Sequence, residues 1–246
     1  MAKLEPVYGL HAVQALLKSA PHRVNEILVL QGRQDQRLQK VLDAATSADI
    51  KVREASRKEL DKLVEGNHQG VVAMSFPGEL HDEKFLYRML EDLTTTRFLL
   101  VLDGVTDPHN LGACMRTAEA AGVHAVIAPK DNSVGLTPVA RKVSCGAAEV
   151  LPYIPVTNLA RCLRKLQDMG VWLIGTAGEA DKSVYQQDLT GPIALVMGAE
   201  GPGLRRLTRE CCDGLINIPM AGEISSLNVS VATGVCLFEA VRQRQS

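Results

Sequence analysis

Aromatic residues are scarce in this sequence, and neither sign of charge is in excess. Phe, Trp and Tyr make up 4% of the 246 residues, and the formal net charge at pH 7 is −1. A protein that binds nucleic acid mainly by base stacking needs many aromatic side chains, and one that binds mainly through charge is clearly basic. Composition therefore gives no support to nucleic-acid binding, which has to be argued from motifs.

Long apolar runs and metal-binding patterns of cysteine are also missing. No run of about 18 apolar residues is present, so we expect no membrane span. The six cysteines form no C-x-x-C pair, and most lie in apolar runs, where buried free thiols are common. Glu5 and Pro6 interrupt the N-terminus before a signal peptide could form. We therefore expect a cytoplasmic protein without a metal site.

The first 76 residues predict a small α/β unit. Ser56 to Glu59 has the pattern of a capping box that opens a helix. Pro77 and Gly78, followed by a charged stretch, indicate a linker, with a helix at about 85–93. Further helices are predicted at 9–18 and 35–48, and strands at 26–30, 50–53 and 71–76.

Residues 97–246 predict a parallel sheet wound with helices. Residues 98–103 are apolar up to the final Asp103, which is typical of a strand buried on both faces. Strands and helices then alternate, and ligands of such sheets bind beyond the carboxyl ends of the strands. Strands are predicted at 124–128, 171–175, 193–197 and 215–218, and helices at 111–121, 158–168, 204–212 and 227–242.

The first polar segment follows the strand that ends at Asp103. Asn110 is placed to cap the next helix. Arg116 points away from the predicted core stripe of this helix, towards solvent or a cleft. An ordinary cap and a surface arginine paired with Glu119 are the structural alternative. The stripe itself is predicted to consist of Leu111, Met115, Ala118 and Gly122.

Two further segments follow buried strands. Gly198, Glu200, Gly201 and Gly203 form a glycine-rich loop, in which the backbone can approach a ligand closely; a tight turn with a solvated glutamate is the alternative. The loop does not fit the dinucleotide pattern G-x-G-x-x-G.

In the third segment, Ser225 or Ser226 can cap the last helix, which is apolar nearly all round and suggests a subunit interface. The alternative is a capped core helix with Asn228 solvated in its first turn. Each segment has such an ordinary explanation, but three polar loops at the carboxyl ends of buried strands favour a shared site.

These segments closely resemble the motifs of the SpoU/TrmH (SPOUT) family of RNA 2′-O-ribose methyltransferases. The three motifs correspond to residues 110–116, to 195–203, and to 218–220 with 225–232. Residues 8–13 and 68–70 resemble parts of the family's RNA-binding domain. The resemblance covers nearly the whole chain and is greatest to the members that methylate a guanosine ribose in 23S rRNA.

The resemblance implies an α/β fold in two parts. Residues 1–76 would be an RNA substrate-binding domain similar to ribosomal protein L30e, residues 77–96 a linker, and residues 97–246 a SPOUT catalytic domain with a deep trefoil knot. It also implies a homodimer through the catalytic domain and S-adenosylmethionine bound in the knot. Implied cofactor contacts are Thr176, Ala177, Gly198, Glu200, Gly203, Ile218, Met220 and Leu227. Implied catalytic residues are Asn110, Arg116, Glu200, Ser226 and Asn228.

In this family the arginine of the first motif has been assigned as the base, here Arg116. Because arginine is normally protonated at all accessible pH, we favour a role for Arg116 in binding a phosphate or the developing oxyanion. Asn110 and Glu200 would hold Arg116, while Ser226 and Asn228 would orient the ribose.

RNA sequence is commonly read from unstacked regions, and we expect the N-terminal domain to supply that reading. Arg33, Arg37 and His68 are candidates for RNA contacts, although a solvated face is the favoured explanation for each.

Other functions are left open by the motifs. A SpoU-type enzyme could modify another rRNA or a tRNA, and a non-catalytic ribosome-assembly protein could keep the same fold. The latter is disfavoured by the intact Asn110, Arg116, Glu200 and Asn228. A nucleotide-dependent oxidoreductase is disfavoured because no G-x-G-x-x-G follows an early strand.

Overall fold

The computed structural model describes residues 4–64, 66–78, 81–199, 201 and 203–245. The chain divides into two compact units, one of residues 1–79 with 137–150, and one of residues 80–136 with 151–246. The predicted domain boundaries place residues 137–150 in the catalytic domain, whereas this segment packs within the first unit. The helix in the predicted linker packs within the second unit, because Leu86 and Leu90 are buried in that unit's core.

The helices and strands follow one another through both units. Three short 3-10 turns add to them, at Pro21–Arg23, Ala147–Glu149 and Val184–Gln186. Helices and strands in chain order are β1 (Glu5–Tyr8), α1 (Leu10–Ser19), β2 (Val24–Leu30), α2 (Gln36–Ser47), β3 (Lys51–Ala55), α3 (Arg57–Leu63), β4 (Val71–Ser75), α4 (Glu83–Asp92), β5 (Phe98–Asp103), α5 (Pro108–Ala120), β6 (Ala125–Pro129), α6 (Pro138–Val143), β7 (Tyr153–Val156), α7 (Leu159–Asp168), β8 (Trp172–Thr176), β9 (Ile193–Gly198), α8 (Arg206–Cys211), β10 (Gly214–Ile216) and α9 (Val229–Arg244).

The first unit is built on a four-stranded sheet of order β1-β4-β2-β3. Strands β2 and β3 are parallel, while β4 is antiparallel to both β1 and β2. Ile27 and Val29 pack into one hydrophobic cluster and Leu28 into another, because successive side chains of a strand point to opposite faces. Both faces of this sheet are therefore covered.

The second unit is built on a six-stranded sheet of order β10-β8-β9-β5-β6-β7, whose pairings are all parallel. Every residue of β5 is buried, as expected for a strand with helices on both faces. The predicted α/β class with a parallel sheet is confirmed.

Two predicted helix starts in this unit are wrong. Asn110 does not cap α5; Asp107 does, by accepting a hydrogen bond from the backbone N–H of His109 at 2.9 Å. Pro108 opens the helix because its fixed φ suits the first helical position. The cap of α9 is Asn228 rather than Ser225 or Ser226.

Side-chain burial agrees with most of the sequence analysis. Leu111, Met115 and Ala118 are buried as predicted for the stripe of α5, whereas Gly122 lies beyond the helix and is exposed. Four of the six cysteines are buried and all six are free thiols. Burial raises the pKa of Cys114 to about 11.

The described part of the chain contains neither a candidate membrane-spanning helix nor a candidate metal cluster. Among those residues, none of the helices combines the length and apolar character needed to cross a membrane. Within the same residues, no group of three or more His, Cys, Asp or Glu side chains is arranged to hold a metal ion.

Candidate active site

A cavity of about 700 Å³ opens at the carboxyl edge of the six-stranded sheet. Its walls are the segments that follow β8, β9 and β10, together with the start of α9. Because these strands are parallel, their carboxyl ends meet at one edge and bring together segments that are distant in sequence. Predicted cofactor residues in the wall are Thr176, Ala177, Gly198, Gly203, Ile218, Met220 and Leu227.

The glycine loop after β9 folds back on the end of its own strand. Ala199 and Gly203 exchange two backbone hydrogen bonds, of 3.2 and 3.1 Å. A Cβ atom added to Gly198 would lie 2.2 Å from the carbonyl carbon of Gly203 and 2.4 Å from the backbone nitrogen of Leu204. Glycine is therefore required at position 198, because any side chain would displace the loop that forms the cavity wall.

Asn228 connects the first and third motifs. Its Nδ2 donates a hydrogen bond to Oδ1 of Asn110 at 3.0 Å. Its Oδ1 accepts from the backbone N–H and the hydroxyl of Ser230, at 2.9 and 2.6 Å, and so caps α9. Because Asn228 also lines the cavity, this side chain fixes α5 and α9 relative to each other at the cavity's edge.

The other predicted catalytic residues are placed as follows. Ser226 lines the cavity. Asn110 is 9% exposed in the first turn of α5 and reaches the cavity's edge through Asn228. Arg116 is exposed on the same helix, as its position on the helical wheel predicts, but it is not part of the wall. Glu200 lies outside the described residues.

The cavity wall also contains a charged pair that the sequence analysis does not predict. Glu179 and Arg209 form an ion pair and both line the cavity. A backbone N–H of Glu179 itself and then the Arg209 guanidinium hold the pKa of the Glu179 carboxyl below its usual range. No local pattern marks either residue, because Glu179 follows β8 and Arg209 belongs to α8, and only the fold brings them together.

The candidate RNA-contacting residues of the first unit have different surroundings. Arg37 is exposed, and Nε of Arg33 lies 2.6 Å from the carboxylate of Asp35. His68 is 6% exposed; its Nδ1 accepts from the backbone N–H of Gly70 and its Nε2 lies 3.1 Å from Asp61. The interpretation of His68 as a solvated side chain is therefore wrong, because both ring nitrogens hold the loop before β4.

Comparison with known families and proteins matches both parts of the sequence. Residues 97–238 match the model of the SpoU rRNA methylase family. The chain belongs to this family. Residues 6–80 match the RNA 2′-O ribose methyltransferase substrate-binding model, so the SpoU methylase domain follows a substrate-binding domain in this chain.

Relatives in the SpoU methylase family extend over the whole chain. One from Pseudomonas putida is 61% identical over 245 residues, which cover 100% of this chain and 99% of that protein. One from Escherichia coli K12 is 58% identical over 241 residues, which cover 98% and 99% respectively. Both are named 23S rRNA (guanosine-2′-O-)-methyltransferase RlmB.

Solved structures share the fold of this SpoU methylase. An RNA 2′-O ribose methyltransferase superposes with a TM-score of 0.83 at 28% identity, covering 100% of this chain and 90% of the other. The SpoU methyltransferase AviRb from Streptomyces viridochromogenes, crystallised with the cofactor AdoMet, superposes with a TM-score of 0.79 at 25% identity, covering 98% and 90%.

Proposed function

We propose that this protein transfers a methyl group from S-adenosylmethionine to the ribose 2′-hydroxyl of a guanosine in 23S rRNA. The observation that carries the proposal is the cavity in which the glycine loop after β9 meets the start of α9. Both segments are motifs by which the sequence resembles SpoU methylases. Relatives named for this reaction share about 60% of their residues with this chain over nearly its whole length.

The cavity suits S-adenosylmethionine in size and in chemistry. Its volume of about 700 Å³ falls within the roughly 300–1,000 Å³ of small-molecule sites. Met197, Ile216, Ile218 and Leu227 supply apolar walls for the adenine ring and the methionine chain. The closely folded glycine loop presents backbone groups to the polar parts of the ligand.

Methyl transfer needs alignment and proton removal more than activation. S-adenosylmethionine, when bound, would supply a methyl group already activated by its sulfonium, with S-adenosylhomocysteine as the leaving group. The protein has to orient the 2′-oxygen and stabilise its developing charge while the hydroxyl proton passes to solvent water. Arg116 binds the developing oxyanion or a neighbouring phosphate, because a guanidinium stays protonated and can only donate. Glu200 and Asn110 orient Arg116 in this proposal.

The contacts of Asn228 refine its role. Because its amide is already bonded to Asn110 and to Ser230, Asn228 keeps α5 and α9 in register while Ser226, beside it in the cavity wall, orients the ribose.

RNA is bound by the first unit, where the substrate-binding model matches and Arg37 is exposed on α2.

A homodimer is part of the proposal. Val231 and Phe238 are 52% and 48% exposed, and their spacing of seven residues puts them on one face of α9. A second copy covering this face would remove both side chains from water. Phe238→Asp is expected to shift the sedimenting species from dimer to monomer, whereas Leu207→Asp, at a residue 51% exposed on α8, should not. A monomeric wild-type protein would contradict the dimer.

Two expectations accompany this function. The trefoil knot implied by the family stays a prediction. We place the protein in the cytoplasm because the rRNA on which it is proposed to act is transcribed and assembled there.

The reaction is tested with methyl-labelled S-adenosylmethionine and 23S rRNA from cells that lack the protein. We expect one labelled guanosine per rRNA, with the label in the ribose by mass mapping, and none in tRNA. RNA binding without methyl transfer would favour a non-catalytic assembly protein. Label in tRNA alone would favour another SpoU-type substrate.

A further inference from the structure

One fully buried carboxylate at the carboxyl edge of the sheet has no part in the proposed reaction. Asp103, the last residue of β5, is 0% exposed. Its Oδ2 accepts a hydrogen bond from the backbone N–H of Arg205 at 2.9 Å, and its Oδ1 accepts from Nε and Nη2 of the same arginine at 2.6 and 2.5 Å. Asp103 therefore binds both the backbone N–H and the guanidinium of Arg205.

Arg205 is the last residue of the glycine loop, which forms part of the cavity wall. The loop begins at Gly198, which lies opposite Asp103 in the pairing of β9 with β5. Strand pairing thus fixes the start of the loop, and the Asp103 carboxylate fixes its end. Between these two points the backbone of residues 203 and 204 rests directly on Gly198, where no Cβ would fit.

Asp103 also adjoins the segment that leads to the first motif. Gly104, the next residue, has a positive φ of 89°. A Cβ built on Gly104 would lie 3.6 Å from the Cβ of Ala199 in the glycine loop. The same short stretch of chain therefore fixes the end of the glycine loop and begins the approach to α5, which carries Asn110.

Stability alone is a poor reason for a charge at this place. Removing a carboxylate from water is costly, and the Arg205 side chain is 45% exposed, so solvent weakens the attraction that could offset this cost. Backbone and guanidinium bonds to one carboxylate do, however, select a single loop conformation, since other conformations would leave the buried charge unpaired.

We propose that Asp103 is a positioning residue which, through Arg205, holds the backbone of residues 203–205 against Gly198 in the conformation that binds S-adenosylmethionine. This inference rests on the proposed function and adds to it a determinant of cofactor affinity outside the cavity wall. Neither Asp103 nor Arg205 lines the cavity, so both act through the loop.

The test compares two buried carboxylates bonded to arginine. Asp103→Asn keeps the size of the side chain but replaces one accepting oxygen by a donor. Glu149→Gln is the matched control: the Glu149 side chain is 2% exposed and is bonded to Arg23 and Arg141, both at 3.1 Å, in the first unit. Binding of S-adenosylhomocysteine is measured by calorimetry well below each variant's melting temperature.

We expect both variants to melt earlier and only Asp103→Asn to bind S-adenosylhomocysteine more weakly, on the order of 10- to 100-fold, as a misplaced binding loop would. The KM for RNA should stay unchanged in Asp103→Asn. Equal S-adenosylhomocysteine affinity in Asp103→Asn and wild type would overturn the inference.

If Asp103→Asn does not fold, Arg205→Gln provides the same test. It keeps the backbone N–H bond to Asp103 and removes the guanidinium, so we expect weaker S-adenosylhomocysteine binding by a smaller factor, and wild-type affinity would contradict the inference. A wild-type protein that fails to bind S-adenosylhomocysteine would contradict the proposed function itself, and this inference with it.

Discussion

The two sheets of this protein differ in the direction of their strands, and their polar groups differ accordingly. In the six-stranded sheet all pairings are parallel, so the segments after β5, β8, β9 and β10 leave from one edge. In the four-stranded sheet, β4 runs against its two neighbours, and the connecting loops are shared between both edges. Only the parallel sheet gathers several strand ends in one place.

The polar side chains of the two units also differ in what they contact. In the first unit, His68 bonds to Asp61, and Glu149 bonds to Arg23 and Arg141. These groups satisfy one another within the fold. In the second unit, Ser226 and Asn228 converge on an open cavity. Matched substitutions in the two regions should therefore separate stability from activity.

The largest expected effect comes from Arg116. Arg116→Ala should lower kcat by about 100- to 1,000-fold, the usual cost of removing a donor to a developing oxyanion. Arg164→Ala, at an exposed arginine of α7, should leave kcat unchanged. Methyl transfer to rRNA is measured for both, with a pH–rate profile for Arg116→Lys. Near-wild-type turnover of Arg116→Ala would remove Arg116 from the mechanism.

A pair of glycines provides the next comparison, since neither has room for a Cβ. At Gly198 the added atom would meet the backbone of Gly203, and at Gly146, in the first unit, it would lie 2.5 Å from the Cβ of Ala15. Overpacking costs about 1–3 kcal/mol, so both alanine variants should melt earlier.

Only Gly198→Ala should weaken S-adenosylhomocysteine binding, roughly 10- to 100-fold if the same free energy is lost from the bound state. Equal loss of binding in Gly146→Ala would show that the cavity depends on overall stability rather than on its glycine loop.

The sequence predicts those helices and strands that are specified by their own residues and immediate neighbours. Residues 98–103 form a strand because they are apolar throughout, and the bounds of β5 agree with that pattern. Asn110 has the residue type of a cap, but Asp107 followed by Pro108 is the stronger start signal and moves the helix three residues earlier. Competing local signals therefore account for the error at this helix start.

Features that depend on distant partners could not be predicted. β1 exists because residues 5–8 pair with residues 72–75 of β4. Asp103 meets Arg205 across 102 positions in sequence, and Asn228 meets Asn110 across 118. The residue types at the site are visible in the sequence, but their contacts are set by the order of the strands.

A comparison of two helix caps, one in each unit, should show a smaller effect on stability and an effect on activity in only one of them. Asn228 caps α9, and Ser56 caps α3 in the first unit. Asn228→Ala and Ser56→Ala should each lower the free energy of unfolding by about 1 kcal/mol. Asn228→Ala should in addition lower kcat, because it releases Asn110. If both variants keep full activity in the methyl-transfer assay, the bond between Asn228 and Asn110 has no role in positioning.

The smallest effect is expected on stability, when the Glu239 carboxylate of α9 is protonated at low pH. Hydrogen bonds from Arg242 and then Gln243 lower the pKa of Glu239 from 4.5 to about 2. A carboxyl whose pKa is lowered by folding stabilises the protein above its unfolded pKa, and this contribution is lost as the pH falls through the folded value. Because Arg242 is 64% exposed, solvent screening limits the contribution to about 1 kcal/mol.

Glu239→Gln should therefore be less stable than wild type in urea unfolding at pH 7 and 5, and the difference should shrink between about pH 4.5 and pH 2. Glu59→Gln removes a pair with Arg53 in the first unit, where both side chains are about 40% exposed, and should change stability less. A difference for Glu239→Gln that stays constant down to pH 3 would mean that its carboxylate does not stabilise α9, leaving the packing of the helix as the source.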